Sequence, residues 1–300
     1  MTSGVLVVDK PAGPTSFDVV RRVSRLFGRE KAGHTGTLDP AATGVLPVCL
    51  GEAVKLQRFL ADGDKAYEAE VVFGAATTTE DGEGEVTEER DAAGLDAGGV
   101  RAALPRFLGL IEQVPPMYSA VRVDGRRLHE AARRGEEVER RPRQVRVDAL
   151  ELLGFEPARQ GRAGARLRVA CGKGTYVRTL AVDLGRALGL PAHLAALRRV
   201  AAGPFRAEQA VRLEEAERLG REDPAGLAAL VLPLELALGF LPAVRLTGGQ
   251  ARDLRHGQLL TLPEVPAGYS VALGPEGKVL AVCEPAGARL KPVRVLQGTN

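Results

Sequence analysis

The chain has 300 residues, of which 45% are hydrophobic and only 4% aromatic, and it contains no tryptophan. This length is typical of one large domain or two ordinary ones, with a core built mainly from valine, leucine and alanine. The formal net charge of +3 excludes a polycationic chain, so binding to an anionic partner must depend on local basic patches.

The cysteine pattern and the N-terminus indicate a compartment. Cys49, Cys171 and Cys283 lie far apart and form no CxxC pair, which argues against a structural zinc site or a disulfide framework. The apolar run that begins at Gly4 is too short for a signal sequence or a membrane span. We therefore expect a soluble, cytoplasmic protein.

Strand and helix patterns alternate in the first hundred residues. The apolar run 4–10 predicts a buried strand, and the turn PAGPTS leads into a helix capped by Ser16. The apolar residues of that helix are Phe17, Val20, Val23 and Phe27. Residues 67–73 alternate as a half-buried strand, 77–99 predict an acidic surface excursion, and 101–110 predict a short helix.

The middle of the chain combines strands with an arginine-rich segment. We predict a strand at 118–123, a turn at Asp124–Gly125 and a short helix at 126–134. Strands follow at 144–155 and 165–171, and a helix follows at 176–188. Two further helical patterns fill 208–238.

Composition changes near residue 241. From there to 296 the pattern predicts a short helix at 249–256, ended by Gly257, and three strands, YSVALG, KVLAVCE and KPVRVL. These elements predict a small β-rich domain at 241–300, following a larger α+β domain at 1–240.

Asp39 allows two interpretations. An aspartate before Pro40 and Ala-Ala-Thr is a good helix N-cap, with proline at the first helical position. A carboxylate at the tip of a Gly/Thr-rich loop could instead be a reactive group, kept ionised by backbone N–H donors. The pattern alone leaves both open.

Two further segments hold residues of possible chemical use. Tyr67 lies on the apolar face of its strand, where it packs in the core or points its phenol into a site. In CGKGTYVRTLAVDLG, Arg178 lies at a helix start, where the helix dipole disfavours a cation. A carboxylate partner for Arg178 would account for this position.

The segment from Arg122 to Arg146 holds nine arginines against five acids. It is either a solvated face or a nucleic-acid contact, and the neighbouring Met117, Tyr118 and His129 favour the contact, because unpaired bases need flat partners. The scattered histidines predict no metal site. Without a GxGxxG motif between a strand and a helix, we expect no cofactor.

Six segments, in chain order, closely resemble the TruB family of bacterial tRNA pseudouridine-55 synthases, over about residues 4–204. They are GVLVVDKPAGPTSFDVV, GHTGTLDPAATGVLPVCLG, DKAYEAEV, QVPPMYSAVRVDGRRLHEAARRG, CGKGTYVRTLAVDLG and AHLAALRRV. The region after 241 is similar to a PUA RNA-binding domain. The resemblance implies a pseudouridine synthase fold, with a central mixed, largely antiparallel sheet flanked by helices.

The resemblance also implies roles for individual residues. Asp39 matches the nucleophile of the family, and Tyr67 and Arg178 match its other catalytic positions. The positions implied to bind substrate are Lys10, His34, Tyr67, Lys173, Tyr176 and Leu197. Residues 115–143 match an RNA-gripping thumb insertion, in which the implied RNA-binding residues are Arg126, Arg127, His129, Arg133 and Arg134.

The implied activity is isomerisation of uridine 55 in the T-loop of tRNA by base flipping, with a possible additional role in tRNA folding. An ion pair between Asp39 and Arg178 would keep the carboxylate unprotonated. The implied partner is the tRNA T-stem-loop, with no membrane, no obligate protein partner and a monomeric enzyme. The alternatives are a non-catalytic RNA chaperone and a methyltransferase, although PAGPTS is not the glycine-rich cofactor loop that a methyltransferase needs.

Overall fold

The computed structural model describes residues 2–119, 122–123, 126–127, 134, 136 and 138–296, with only the backbone described at 122–123 and 126–127. The chain divides into two compact units. Unit 1 comprises residues up to Pro40, Gly44–Gly63 and the chain from Ala202 onward, and unit 2 comprises Ala41–Thr43 and Asp64–Ala201.

The strands, in chain order, are β1 (Gly4–Lys10), β2 (Ala32–His34), β3 (Thr43–Leu50), β4 (Lys65–Phe73), β5 (Ala75–Thr77), β6 (Val86–Glu89), β7 (Gly109–Gln113), β8 (Arg122–Val123), β9 (Arg126–Arg127), β10 (Arg143–Arg159), β11 (Arg162–Cys171), β12 (Ala192–Ala202), β13 (Phe205–Arg206), β14 (Val211–Arg212), β15 (Ala243–Arg245), β16 (Leu260–Thr261), β17 (Ser270–Leu273), β18 (Val279–Ala286) and β19 (Arg289–Val295). The helices are α1 (Ser16–Leu26), α2 (Gln57–Ala61), α3 (Ala97–Ala103), α4 (Val177–Ala187), α5 (Leu213–Glu222), α6 (Pro224–Ala229), α7 (Leu234–Ala237) and α8 (Gly248–Arg255). Short 3₁₀ turns lie at Gly51–Leu56, Leu104–Phe107 and Ala207–Gln209.

In unit 1, β1 is the strand around which the core forms. It pairs antiparallel with β3 along its whole length and parallel with β14, so this part of the sheet is mixed. Because side chains alternate along a strand, Leu6 and Val8 pack with helices α1, α5 and α6, whereas Val5 and Val7 pack in a second cluster with α7 and β17–β18. This two-sided burial explains the continuous apolar run in the sequence.

The C-terminal part of unit 1 is a five-stranded sheet in the order β15-β17-β18-β19-β16. Strands β15 and β17 are parallel, and the other neighbours are antiparallel. Helix α8 covers one face through Ala251 and Leu254. The helix and three strands predicted from 249 onward are confirmed, and the domain division at 240/241 stays a prediction.

The main sheet of unit 2 has the strand order β12-β4-β11-β10-β7. Strands β4, β11, β10 and β7 are joined by antiparallel pairing, and α4 packs against β4. The alternation predicted for 67–73 is confirmed, since Tyr67, Ala69, Val71 and Phe73 are all buried. The predicted α+β class with a mixed, largely antiparallel sheet is likewise confirmed.

The predicted surface excursion at 77–99 is mostly exposed, and it contains the β5–β6 hairpin and the start of α3. Two local predictions are wrong. Helix α1 is capped by Thr15, whose side chain accepts from the Asp18 N–H in a capping box, and Phe17 is exposed. Strand β9 pairs with β8 where the predicted helix at 126–134 should begin, and most of the remainder of that helix lies outside the described residues.

Gly185 allows α4 to approach the start of β12 closely. A Cβ at this position would overlap the Cβ of Ala192 and lie 2.8 Å from the carbonyl oxygen of Leu190. We expect Gly185→Ala to lower the free energy of unfolding by about 1–3 kcal/mol through overpacking. Urea denaturation followed by circular dichroism measures this change.

Gly99 in α3 is the matched control, because its added Cβ would meet neighbours only at 3.6 Å and beyond. Gly99→Ala should be neutral or stabilising by up to about 1 kcal/mol, since alanine is the better helix former. Equal effects of the two substitutions would contradict the close approach at Gly185.

Candidate functional site

Asp39 does not cap a helix. It lies in residues 35–40, which have no regular secondary structure. Residues 41 and 42 complete the loop between β2 and β3. The side chain is partly exposed, between the buried Leu38 and the partly exposed Pro40. The helix-cap interpretation is therefore wrong, and the loop conformation has to be fixed by other contacts.

Both neighbours of Asp39 are hydrogen-bonded to residues 10–16, which run from the end of β1 to the start of α1. The Ser16 hydroxyl donates to the Leu38 carbonyl at 2.9 Å and accepts from the Leu38 N–H at 2.8 Å. On the other side, the Pro40 carbonyl accepts from the Gly13 N–H and from Lys10 Nζ, both at 2.9 Å. The backbone that carries the Asp39 carboxylate is thus held on both sides.

Lys10 is fully buried although it is charged. Its ammonium donates to the carbonyls of Pro11 and Pro40, each at 2.9 Å. A buried cation needs such partners, because its loss of hydration is otherwise very costly. This geometry favours a structural role for Lys10, which holds the Asp39 loop, rather than the direct substrate contact that the resemblance implies.

His34 ends β2 and is partly exposed. Its Nδ1 accepts from the Gly36 N–H at 3.3 Å, and its carbonyl accepts from the side-chain amide of Gln57. The ring thereby contacts the backbone at the start of the Asp39 loop.

In unit 2, Tyr67 is paired with a buried arginine that the sequence analysis did not single out. Arg199, on β12 beside β4, is 2% exposed, and its guanidinium hydrogen-bonds to the Tyr67 phenol. Burial lowers the pKa of Arg199, and the phenol contact acts in the opposite direction. A guanidinium can only donate, so the phenol oxygen accepts this bond.

Arg178 is buried at the first turn of α4 and contacts three groups of unit 2. Its Nη1 donates to the Thr79 carbonyl at 3.1 Å and lies 3.5 Å from a carboxylate oxygen of Asp81. Its Nη2 donates to the Tyr118 carbonyl at 2.8 Å. A carboxylate partner for Arg178 therefore exists in Asp81, and the predicted ion pair with Asp39 stays a prediction.

Glu80 lies between Thr79 and Asp81 and is largely withdrawn from water. Desolvation raises the pKa of its carboxyl group, while the hydrogen bond from Thr179 and the charge of Arg178 lower it. Thr179 Oγ1 donates to Glu80 at 3.0 Å. Residues 79–81 and the start of α4 are thus linked by several polar contacts.

The remaining predicted substrate contacts of unit 2 are at least partly exposed. Tyr176 is half-buried, and its backbone N–H and carbonyl are both held by the side-chain amide of Gln113, at 3.0 and 3.2 Å. Lys173 is exposed. Leu197 is half-buried on β12, and its carbonyl accepts from the Thr43 hydroxyl at 3.5 Å.

Only part of the predicted thumb is described. Arg140 Nη1 donates to the Pro115 carbonyl at 3.0 Å, which ties the two ends of the segment together. Arg134 is exposed and pairs with Glu136 at 2.7 Å. His129 and Arg133 lie outside the described residues, as do the side chains of Arg126 and Arg127.

The sequence pattern assigned Ser16 only a capping role, and it assigned no role to three further polar residues at these sites, Asp81, Gln113 and Arg199. Each is recognisable only from its partners in the fold. For Arg199 the sequence held a weak signal, since it follows Leu197 by two residues in the LRR segment.

Within the part of the chain that the structure describes, no group of three or more His, Cys, Asp or Glu side chains could hold a metal ion. No helix in the same residues is long and apolar enough to cross a membrane.

Family models match nearly the whole chain. Residues 24–177 match the TruB family pseudouridylate synthase N-terminal domain, and 178–239 match the tRNA pseudouridylate synthase B C-terminal domain. Residues 241–297 match the tRNA pseudouridine synthase II C-terminal domain.

Several curated relatives carry the name tRNA pseudouridine synthase B. The Pseudomonas aeruginosa protein is 46% identical over 98% of this chain and 96% of its own length. The Symbiobacterium thermophilum protein is 54% identical over 85% of this chain and 82% of its own length. The Geobacillus kaustophilus protein is 47% identical over 92% of this chain and 98% of its own length.

Two solved structures share the fold. One is a Cbf5-Nop10-Gar1 complex, with 27% identity and a TM-score of 0.75 over 98% of this chain and 85% of that chain. The other is an H/ACA RNP bound to a substrate RNA containing 2′-deoxyuridine, with 25% identity and a TM-score of 0.75 over 100% of this chain and 86% of that chain. Together with the family models and the relatives, these matches show that the chain belongs to the TruB family of pseudouridylate synthases.

Proposed function

We propose that this protein isomerises uridine to pseudouridine in tRNA, at position 55 of the T-loop. The observation that carries the proposal is the 46–54% identity to tRNA pseudouridine synthases over most of the chain. The loop that holds Asp39 in a partly exposed, backbone-anchored position supports it. The reaction breaks the bond between ribose C1′ and uracil N1, joins C1′ to C5, releases the C5 proton and adds a proton to N1, so the atoms balance and no redox cofactor is required.

Asp39 acts as the nucleophile in this proposal. A carboxylate must be ionised and fixed in direction to form a covalent intermediate. Its anchored neighbours Leu38 and Pro40 fix the backbone, and the residue itself is partly exposed. The target base has to leave its stack to be reached, which costs a few kcal/mol.

Tyr67 accepts the C5 proton or stacks on the extruded base. An ordinary phenol has a pKa near 10, so it is a poor proton acceptor at neutral pH. The buried Arg199 guanidinium favours the phenolate through its charge and its hydrogen bond. This pairing supports the proton-acceptor role.

Arg178 provides a fixed positive charge. Its contacts with Thr79, Asp81 and Tyr118 set the direction of the guanidinium plane. We assign the basic thumb and the C-terminal sheet to the binding of tRNA phosphates, with the enzyme acting as a cytoplasmic monomer.

The role of Asp39 is tested by Asp39→Asn. The amide cannot act as a nucleophile but fills the same space, so we expect turnover to fall at least about 1,000-fold with tRNA affinity nearly unchanged. Release of tritium from uracil C5 of a labelled tRNA transcript measures turnover. Asp96→Asn, an exposed change at the N-cap of α3, should retain full activity.

Residual turnover of Asp39→Asn within tenfold of the wild type would refute the nucleophile role. Intact tRNA binding by a wild-type protein that releases no tritium would instead support a non-catalytic RNA chaperone.

The role of Arg199 is tested by Arg199→Met and Arg199→Lys. Methionine removes the charge beside Tyr67, so we expect the rate at neutral pH to fall by about 10–100-fold and the pH–rate profile to move to higher pH. Lysine should retain part of the rate. Single-turnover tritium release between pH 6 and 10 measures both effects.

Circular dichroism of both variants is the control, because removing one partner of a buried polar contact can destabilise the fold. An unshifted profile in a folded Arg199→Met protein would count against the proton-acceptor role of Tyr67.

The contact between Arg178 and Asp81 is tested by Asp81→Asn. Loss of the carboxylate charge should free the guanidinium to reorient and lower turnover about tenfold or more, with little change in tRNA affinity. Glu83→Gln, an exposed change in the same loop, is the matched control and should leave turnover unchanged. Equal turnover in both variants would argue that Asp81 does not orient Arg178.

A further inference from the structure

The Ser16 hydroxyl satisfies both polar groups of one peptide residue. It donates to the Leu38 carbonyl at 2.9 Å and accepts from the Leu38 N–H at 2.8 Å. Ser16 is 2% exposed and Leu38 is 4% exposed, so water cannot readily replace either bond. Buried backbone groups that lose their partner are strongly unfavourable, and loss of this hydroxyl therefore forces the Leu38 peptide to move.

Ser16 is itself held by the helix that it begins. Thr15 and Asp18 form the capping box of α1, with the Thr15 hydroxyl 2.6 Å from the Asp18 carboxylate. Further along the helix, Val19 and Val23 are fully buried in the core. A rigid path thus runs from the core through α1 and Ser16 to the peptide before Asp39.

The opposite side of Asp39 is anchored by different groups. Gly13 and Lys10 hold the Pro40 carbonyl, and neither contact depends on the Ser16 hydroxyl. Removing that hydroxyl should therefore release Leu38 while Pro40 remains held. The expected result is a loop that is still folded but whose Asp39 carboxylate is redirected.

We propose that Ser16 is a positioning residue that sets the direction of the Asp39 carboxylate by clamping the Leu38 peptide. This inference rests on the proposed nucleophile role of Asp39. A displacement of about 1 Å in a reacting group can cost about 100-fold in rate, so the clamp affects the chemical step rather than tRNA binding.

The test compares Ser16→Ala with Ser24→Ala. Ser24 lies near the other end of α1, where its hydroxyl donates to the Glu30 carbonyl at 2.6 Å, so its loss also removes a bond between the helix and a loop. We expect Ser16→Ala to lower the single-turnover rate of tritium release at saturating tRNA by about 10–100-fold. Its tRNA dissociation constant should stay within threefold, and Ser24→Ala should keep the wild-type rate within twofold.

Ser16→Cys provides a graded variant, since a thiol at the same position is a weak donor and acceptor. Its rate should fall between those of the alanine variant and the wild type. It also replaces Ser16→Ala as the test if circular dichroism shows that the alanine variant is unfolded. Wild-type rates in the folded Ser16 variants, or an equal loss in Ser24→Ala, would overturn the proposal.

Asp39→Asn distinguishes a failure of the nucleophile assignment from a failure of the clamp. If that variant is active, Asp39 is not the nucleophile, and the proposed positioning role of Ser16 fails with it. If it is inactive while the Ser16 variants keep the wild-type rate, the nucleophile stands and only the clamp is wrong.

Discussion

The anchoring of the Asp39 loop to residues 10–16, from the end of β1 to the start of α1, is the constraint on which the proposed chemistry depends. Residues 35–40 have no regular structure, so their backbone groups need partners from elsewhere in the chain. Ser16 supplies both partners of Leu38, and Gly13 and Lys10 supply those of Pro40. The core that buries β1 and α1 thereby fixes a carboxylate that stays partly exposed.

Buried cations perform different tasks in the two units. Lys10 contacts carbonyls of its own unit, and its charge holds backbone in place. Arg178 joins the carbonyls of Thr79 and Tyr118, whereas Arg199 contacts the phenol of Tyr67. Burying a charge is costly unless hydrogen bonds compensate, so each of these positions depends on acceptors that are already in place. The modest net charge of the chain gives no indication of these cations.

The sequence alone predicted elements with a simple apolar pattern: a continuous run in β1, alternation in β4 and helical spacing in α4. It could not decide between a cap and a nucleophile at Asp39, because Asp-Pro is favourable before a helix and equally possible in a loop anchored from a distance. Arg199 and Asp81 were missed for a related reason. Their significance arises from partners on other elements, which periodicity does not encode, and the family resemblance pointed to Leu197 rather than to Arg199.

The two anchors of the Asp39 loop differ chemically, and the difference explains their residue types. The Pro40 carbonyl is only an acceptor, so a backbone N–H and an ammonium suffice there. Leu38 offers both a donor and an acceptor within reach of one small buried side chain. A hydroxyl can donate and accept through a single atom, whereas alanine can do neither and an amide needs more space. Serine at position 16 thus matches the peptide that it holds, and the helix cap is left to Thr15.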